Sequence, residues 1–253
     1  MENKNATNLI SYPDAWNDIY GNNLENLANK ILKFEEIQRL KLESVLDIEC
    51  ENSKMLNIFA KSEKKCYGIT TNEELFNYSK NTYPNLEISK VDSILDLDNL
   101  PRFDLITCVN QTINNIDSLQ NLQDFFDNVY AHLKNGGVFI CNYFTNLYFE
   151  NNAKTIYDEN ENYNYLRKIT KISGNKYEIL ENFYLKRNVP DKINRFDKIQ
   201  DKKSKYTYNN YEIIKAITNS KFRYLITTNS NLSPVKDFNN SPIAHIIAIK
   251  REN

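Results

Sequence analysis

The chain has 253 residues, a length that suits one large domain, or one domain with a subdomain, and that can bury a substantial core. Its 32 basic residues nearly balance its 33 acidic residues, so the charge indicates neither nucleic acid nor an anionic membrane as a partner. The N-terminal stretch MENKNATNLISYPDAW lacks an apolar core of signal-peptide length, and no long apolar run follows, so we expect a soluble cytoplasmic protein.

Short apolar runs alternate with segments of helical spacing through the first part of the chain. The runs at 44–48, 65–70, 86–89, 103–109 and 137–143 predict buried strands. The segments 52–60, 72–80 and 118–133 have the spacing of amphipathic helices. Strands that alternate with helices predict a parallel sheet wound on both faces. We expect the following residues in its core: Val45, Leu46, Ile48, Leu105, Ile106, Val138, Phe139 and Ile140.

The pattern changes beyond the fifth strand. Gly136 and Gly137 predict the end of the long helix and a sharp turn into that strand. The segments 162–170, 176–186 and 192–205 are polar and alternating, which is typical of an antiparallel insertion. A last helix at 206–222 and a strand pair at 224–228 and 244–250 should then close the sheet, with the final strand antiparallel at its edge.

The cysteines and histidines give little sign of chemistry. Four cysteines lie far apart without a CxxC pair, so we expect buried thiols and neither a zinc site nor disulfides: Cys50, Cys66, Cys108 and Cys141. His132 and His245 are interpreted as structural, one near a helix end and one in the last strand. No nucleophile set and no P-loop lysine motif occurs, which leaves little room for a hydrolase or a P-loop enzyme.

An ordered set of segments carries a resemblance to a known superfamily. The segments VLDIECENS, YGITTNEEL, VDSILDL, FDLITCVNQTI and LKNGGVFICNYF, in this order, resemble class I S-adenosylmethionine-dependent methyltransferases. The tail, from KYTYNNYEIIKAITNSKFRYL to AHIIAIKR, is similar to the closing region of the small-molecule and sugar-amine branches. The resemblance implies an α/β fold, a doubly wound, mostly parallel seven-stranded Rossmann-like sheet with a small antiparallel β insertion.

The resemblance also implies a division of the chain. Residues 1–145 would form the cofactor-binding-like Rossmann core with an N-terminal helical lid. Residues 146–205 would form the β insertion, packed as a cap over the carboxyl ends of the strands, and residues 206–253 would complete the core sheet. Trp16 and Tyr20, one helical turn apart, are compatible with a lid over the site and equally with core packing.

The cofactor loop departs from the superfamily pattern. The resemblance places an acid at the end of the first strand, matched by Asp47, and glycines at the positions of Glu49, Glu51 and Ser53. Glycines allow the backbone to approach the methionyl part of S-adenosylmethionine. A glutamate about 4 Å from its carboxylate would oppose binding by roughly 4 kcal/mol at an effective dielectric of 20. We therefore expect binding of this cofactor to be weak or lost.

Three further positions are assigned to the cofactor by the same resemblance. Thr70 stands where the superfamily has the acid that binds the ribose hydroxyls, and the loss of a charged acceptor weakens each hydrogen bond by about 1.5 to 3 kcal/mol. Asp92 matches the residue near the adenine, with a turn or helix-cap acid as an equal alternative. Asn110, just after the fourth strand, is the last expected cofactor-binding residue.

The acids of the cofactor site admit a second interpretation. Asp47, Glu49, Glu51 and Asp92 would meet at the carboxyl ends of the strands, and such oxygen ligands suit Mg²⁺, Ca²⁺ or an amine cation. We favour solvated acids around a non-functional loop and expect no metal site.

Two functional hypotheses follow. The leading one is a methyltransferase-fold protein that is non-catalytic or weakly active, a pseudoenzyme that serves as a binding or partner subunit, with a small-molecule acceptor or a protein as its partner. The alternative is an active small-molecule N- or O-methyltransferase with a modified cofactor site. No catalytic residue is assigned, because methyl transfer depends mainly on positioning and the cofactor carries the reactive group.

Overall fold

The structure is a computed structural model that describes residues 7–8, 11–16, 18–19, 22–152, 154–188, 195–235 and 241–251. Its elements follow in chain order: β1 (Thr7–Asn8), α1 (Tyr12–Trp16), α2 (Asn22–Gln38), β2 (Ser44–Ile48), α3 (Lys54–Lys61), β3 (Lys65–Thr70), α4 (Glu73–Thr82), β4 (Glu87–Lys90), β5 (Phe103–Cys108), a short 3₁₀ helix (Thr112–Asn115), α5 (Leu119–His132), β6 (Leu133–Phe144), α6 (Asn146–Asn152), β7 (Thr155–Glu159), β8 (Tyr163–Ser173), β9 (Lys176–Asn188), β10 (Arg195–Tyr206), α7 (Asn210–Asn219), β11 (Tyr224–Thr228) and β12 (Ile243–Ile249). No described helix is long and apolar enough to cross a membrane.

A seven-stranded sheet forms the centre of the molecule. Its strand order is β11-β12-β6-β5-β2-β3-β4. The five strands from β6 to β4 run parallel, and β12 runs antiparallel to both β6 and β11. The predicted mostly parallel, seven-stranded sheet is therefore confirmed.

The position of the last strand differs from the prediction. β12 is antiparallel as expected, but it lies between β6 and β11, and β11 takes the edge. The sequence IAHIIAI explains this placement, because a nearly continuous apolar strand is stable where both of its faces are covered. The residues from Ala244 to Ala248 are all buried.

Helices cover both faces of the sheet. One core cluster contains apolar residues of α2 and α3, such as Ile31 and Phe59. The other contains residues of α5 and α7, such as Phe126 and Ile217. The doubly wound architecture is thus confirmed. The eight predicted core residues are buried, each with at most 1% exposure: Val45, Leu46, Ile48, Leu105, Ile106, Val138, Phe139 and Ile140.

The predicted role of the glycine pair is wrong. Helix α5 already ends at His132, and Gly136 and Gly137 lie inside β6. The end of α5 is stabilised by Lys250, whose Nζ donates to the carbonyls of Tyr130 and Leu133 at 2.9 Å each. A cation at a helix C-terminus satisfies terminal carbonyls and opposes the helix dipole, so no glycine is required there.

A second, antiparallel sheet is inserted between β6 and α7. It contains β7, β8, β9 and β10 in a meander, with β1 added to β9. The sequence predicted three of these strands and missed β7, and predicted residues 192–194 lie outside the described ranges. Asn114 joins this sheet to the central one, because its Nδ2 donates to the carbonyls of Phe144 in β6 and Tyr206 in β10.

Helix α7 is shorter than the predicted segment 206–222. Asn209 is its N-cap, and a capping box with Glu212 fixes the helix start at Asn210. Strand β10 continues to Tyr206, so it occupies the first position that the pattern assigned to the helix.

Candidate functional site

The loop after β2 has the backbone conformation that glycine favours. Glu49, Glu51 and Ser53 have φ angles of 57°, 51° and 59°. These are the three positions at which the resemblance expects glycine. The left-handed region costs a non-glycine residue roughly 1 to 2 kcal/mol. The loop therefore keeps the turn and carries side chains where the superfamily carries none.

Contacts with β3 hold this turn in place. The Cys50 amide donates to the Ile69 carbonyl at 2.9 Å, and the Ser53 amide donates to the Cys50 carbonyl at 2.7 Å. Gly68 in β3 makes the approach possible, because a Cβ at this position would lie 2.7 Å from Cys50 Sγ and from Leu56 Cδ1. Close packing and backbone hydrogen bonds thus stabilise a conformation that is locally unfavourable.

The Glu49 side chain spans from the end of β2 to the end of β3. Its carboxylate is buried and accepts from Thr70 Oγ1 at 3.2 Å, from the Thr71 amide at 3.3 Å and from Thr71 Oγ1 at 2.5 Å. The end of β3 therefore does have an acid, but Glu49 supplies it. Since a carboxylate has about four acceptor positions, these donors occupy most of its capacity.

Two more acids of the site are buried. Asp47 accepts from Thr107 Oγ1 at 2.7 Å, and burial, with nearby Glu51 and Glu49, raises the pKa of Asp47 to about 8. Burial also raises the pKa of Glu51 to about 7, although Lys203 opposes this shift. Glu51 Oε2 has no hydrogen-bond partner among the described residues.

The acids divide into a buried group and an exposed one. The interpretation of solvated acids is wrong for Asp47, Glu49 and Glu51, because each is at most 8% exposed. Asp92 is exposed after β4, with its carboxylate 4.0 Å from Lys90 Nζ. The structure therefore brings together three of the four acids and leaves Asp92 apart.

Two lysines of β10 face the buried acids. Lys205 is buried, and its Nζ donates to the Gln111 carbonyl at 3.3 Å. Burial lowers the pKa of Lys205 to about 8, and Lys203 adds to this effect. Burial alone would lower the pKa of Lys203, but the carboxylates of Glu51 and Asp201 outweigh it and raise that pKa. The inserted sheet thus brings positive charge to an acidic loop.

Sequence reasoning missed these lysines. A signal existed, because Asp201, Lys203 and Lys205 alternate along a strand and therefore share one face. The alternation does not reveal what that face contacts, since the contact depends on how the second sheet packs on the first.

The end of β5 lines two cavities. Asn110 and Gln111 have φ angles of 58° and 57°, and the Gln111 amide donates to Asn142 Oδ1 at 2.8 Å. A cavity of about 60 Å³ is lined by Asn110, Gln111 and Glu51, and also by the two β10 lysines and Trp16. A larger cavity of about 420 Å³ shares Asn110 and Gln111 with it. Trp16 is buried, whereas Tyr20 lies outside the described residues.

The remaining polar candidates have structural surroundings. His132 Nδ1 lies 2.8 Å from the Asn128 carbonyl near the end of α5. His245 is buried in β12 and lines the larger cavity. All four cysteines are buried free thiols, as predicted. In the described ranges, no group of three or more His, Cys, Asp or Glu residues is placed to hold a metal ion.

The strand order, the acid at the end of β2 and the turn that follows it define a class I S-adenosylmethionine-dependent methyltransferase fold. A family model described as "Methyltransferase domain" matches residues 20–178, and the chain belongs to this family. No curated protein matches the sequence at a significant level.

Solved structures are similar over nearly the whole chain. An S-adenosylmethionine-dependent methyltransferase from Clostridium acetobutylicum has a TM-score of 0.81 at 15% identity, with 94% of this chain and 99% of that chain covered. The sugar N-methyltransferase KedS8 from Streptoalloteichus has a TM-score of 0.73 at 12% identity, with 97% and 95% covered. The amino pentose methyltransferase CalS10 from Micromonospora echinaspora, solved with its cofactor bound, has a TM-score of 0.64 at 13% identity, with 93% and 91% covered.

Proposed function

We propose that this protein is a non-catalytic or weakly active member of the S-adenosylmethionine-dependent methyltransferase superfamily, in which the cofactor no longer binds in the usual way. The observation that carries the proposal is the position of the Glu49 carboxylate at the end of β3, where Thr70 and Thr71 donate to it. The superfamily resemblance places the ribose hydroxyls at this location.

The hydrogen bonds of Glu49 oppose entry of a ribose. A sugar hydroxyl that approaches Thr70 must displace a carboxylate that already accepts from two threonine hydroxyls and an amide. Each hydrogen bond to a charged group contributes about 1.5 to 3 kcal/mol. The loss of two such bonds without replacement would reduce the affinity by about two to four orders of magnitude.

Charge at the methionyl end is a smaller obstacle than the sequence indicates. Glu51 has a raised pKa of about 7, so a large share of it is protonated at neutral pH. Lys203 and Lys205 lie close enough to influence its ionisation. The repulsion estimated from Glu49 and Glu51 alone is therefore an upper limit, and occupation of the ribose position by Glu49 is the stronger argument.

The protein would then act through binding, on a small molecule or as the partner of another protein, in the cytoplasm and without nucleic acid or a membrane as its partner. The cavity of about 420 Å³ supports a small-molecule ligand, because its volume lies in the usual range for such sites. The β insertion contributes to both cavities through Arg167.

One observation favours an alternative, an active small-molecule N- or O-methyltransferase. Glu49 supplies a carboxylate at the end of β3, so the same side chain is a candidate acceptor for the ribose hydroxyls if its threonine bonds rearrange. In that case Glu49 would replace the acid that the superfamily has at the position of Thr70.

Restoration of the superfamily residues tests the proposal. The triple variant Glu49→Gly, Glu51→Gly and Thr70→Asp should bind S-adenosylmethionine at least about tenfold more tightly than the unmodified protein, measured by calorimetric titration. All three changes are combined because neighbouring substitutions in one site need not add. Thermal melting should show that the variant is folded. A loss of binding in the triple variant would contradict the proposal and favour the active enzyme.

A further inference from the structure

The cavity of about 420 Å³ lies between α2, the ends of β5 and β6, and β12, and Glu51 lines only the smaller cavity that shares Asn110 with it. Its lining combines an apolar part, which includes Leu27, Phe144 and Ile243, with several polar side chains. Phe144 stacks on Tyr148 with a centroid distance of 3.5 Å and an interplanar angle of 5°. This pairing gives the cavity a rigid aromatic wall.

The charge in this cavity has one sign. No aspartate or glutamate is found among the described residues that line it, whereas Lys30 and Arg167 are. Lys30 Nζ donates to the carbonyl of Ser230 at 3.0 Å, and no ion pair with a described carboxylate is formed within 4.0 Å. Arg167 bonds to Tyr148 and also lines the smaller cavity, whereas Lys30 lines the larger one without lining the smaller one, so Lys30 is the cation that distinguishes this cavity.

The neutral polar groups of the cavity also suit an anion. Asn142 Oδ1 already accepts from the Gln111 amide, so the side chain offers its Nδ2 donor to a ligand. His245 is buried, and burial, with Lys30 nearby, lowers its pKa to about 4. The imidazole is therefore neutral at pH 7 and does not compensate a cationic ligand. An ammonium group in this cavity would find no described carboxylate to pair with.

We propose that this cavity binds a small organic anion, with the carboxylate at Lys30 and a flat or apolar body against Phe144. The inference rests on the proposed function in one respect, since it names the class of small molecule that this cavity would take, but it does not require the cofactor to bind, because none of the supporting residues belongs to the loop after β2. The preference for an anion also distinguishes this cavity from a site for an amino sugar, because a protonated amine carries the opposite charge.

Histidine NMR provides a direct test, because the chain has two histidines and one of them lines the cavity. Benzoate, benzamide and benzylamine share a flat body and differ in charge, and inorganic phosphate supplies charge without a body. Each is titrated into the protein while the imidazole C–H resonances are followed. The variant His132→Gln identifies the His245 signal, and His132 reports on non-specific effects in the unmodified protein.

Benzoate should shift the His245 signal and bind at least about tenfold more tightly than benzamide, with benzylamine the weakest, because an ion pair strengthens a hydrogen bond. Phosphate should bind more weakly than benzoate. Lys30→Gln should reduce benzoate binding to the level of benzamide. Lys33→Gln, which removes the same charge from an exposed position of α2 outside this cavity, should leave it unchanged.

Several results would overturn the proposal. These are benzylamine binding as tightly as benzoate, phosphate binding as tightly as benzoate, an equal effect of the two lysine variants, or no His245 shift with millimolar benzoate. The melting curve of the Lys30→Gln variant shows whether it is folded. In the absence of ligand, its His245 signal should differ from that of the unmodified protein only by the effect of the lost charge.

Discussion

Replacement of Glu49 by glycine separates the two roles open to its carboxylate. In the folded protein the substitution removes the acceptor of Thr70 and Thr71 and also relieves the left-handed conformation at φ 57°. Relief of this backbone strain should stabilise the folded state by roughly 1 to 2 kcal/mol. Hydrogen bonds to water partly replace those that Thr71 loses, because Thr71 is exposed. We therefore expect the free energy of unfolding to change by no more than about 2 kcal/mol.

Cofactor binding should become tighter in the same variant. With the carboxylate removed, the end of β3 is open to the ribose, and S-adenosylmethionine should bind at least about tenfold more tightly, which corresponds to about 1.4 kcal/mol. Glu49→Gln should give a smaller gain, because the amide keeps the volume of the side chain and one acceptor. Calorimetric titration measures both variants, and thermal melting checks their folding.

Glu63→Gly is the matched control for the backbone effect. Glu63 also has a positive φ, of 62°, but it is exposed and outside the site. This variant should gain stability without any change in cofactor binding. If Glu49→Gly or Glu49→Gln instead abolishes binding that the unmodified protein shows, the carboxylate is a ribose ligand and our reasoning about Glu49 is refuted.

Three further predictions concern the framework of the site. Burial raises the pKa of Asp47 from 3.8 to about 8, so between these pH values the folded state keeps a proton that the unfolded chain loses. The free energy of unfolding should therefore fall as the pH rises through this range. Asp47→Asn should therefore be more stable than the unmodified protein by at least about 1 kcal/mol at pH 8, with the gap closing near pH 4 in urea unfolding. Gly68→Ala should lose about 1 to 3 kcal/mol in the same assay, because its Cβ would lie 2.7 Å from Cys50 Sγ; an unchanged midpoint would contradict the packing described. Asn114→Ala should lose about 2 to 4 kcal/mol, because it removes a donor from a buried carbonyl of β6 and from a part-buried carbonyl of β10; a loss below 1 kcal/mol would show that the two sheets are not joined there.

Much of the central sheet could be predicted from the sequence because its strands are local apolar runs. The runs at Ser44–Ile48, Lys65–Thr70 and Tyr224–Thr228 coincide with strands in the structure. The position of β12 inside the sheet was missed, since periodicity gives the burial of a strand and not its neighbours. The end of α5 was predicted to within one residue, but the glycine pair was wrongly given as its cause, because the stabilising cation, Lys250, lies more than a hundred residues away in sequence.

The site was harder to predict than the fold. Substitution of the glycines by Glu49 and Glu51 was visible, and it motivated the idea of a degenerate loop. The sequence did not reveal that Glu49 reaches the end of β3, because a side-chain direction depends on the φ of its own residue and on the register of β2 with β3. The proximity of Lys203 to Glu51 depends on packing between two sheets, which no local pattern encodes.

The most direct test of the account is calorimetric titration of the unmodified protein with S-adenosylmethionine at neutral pH. Because Glu49 accepts from Thr70 and Thr71 at the position that the superfamily resemblance gives to the ribose hydroxyls, we predict a dissociation constant weaker than about 1 mM. A dissociation constant of about 1 μM would contradict the account and would establish the site as a working cofactor site with a relocated acid.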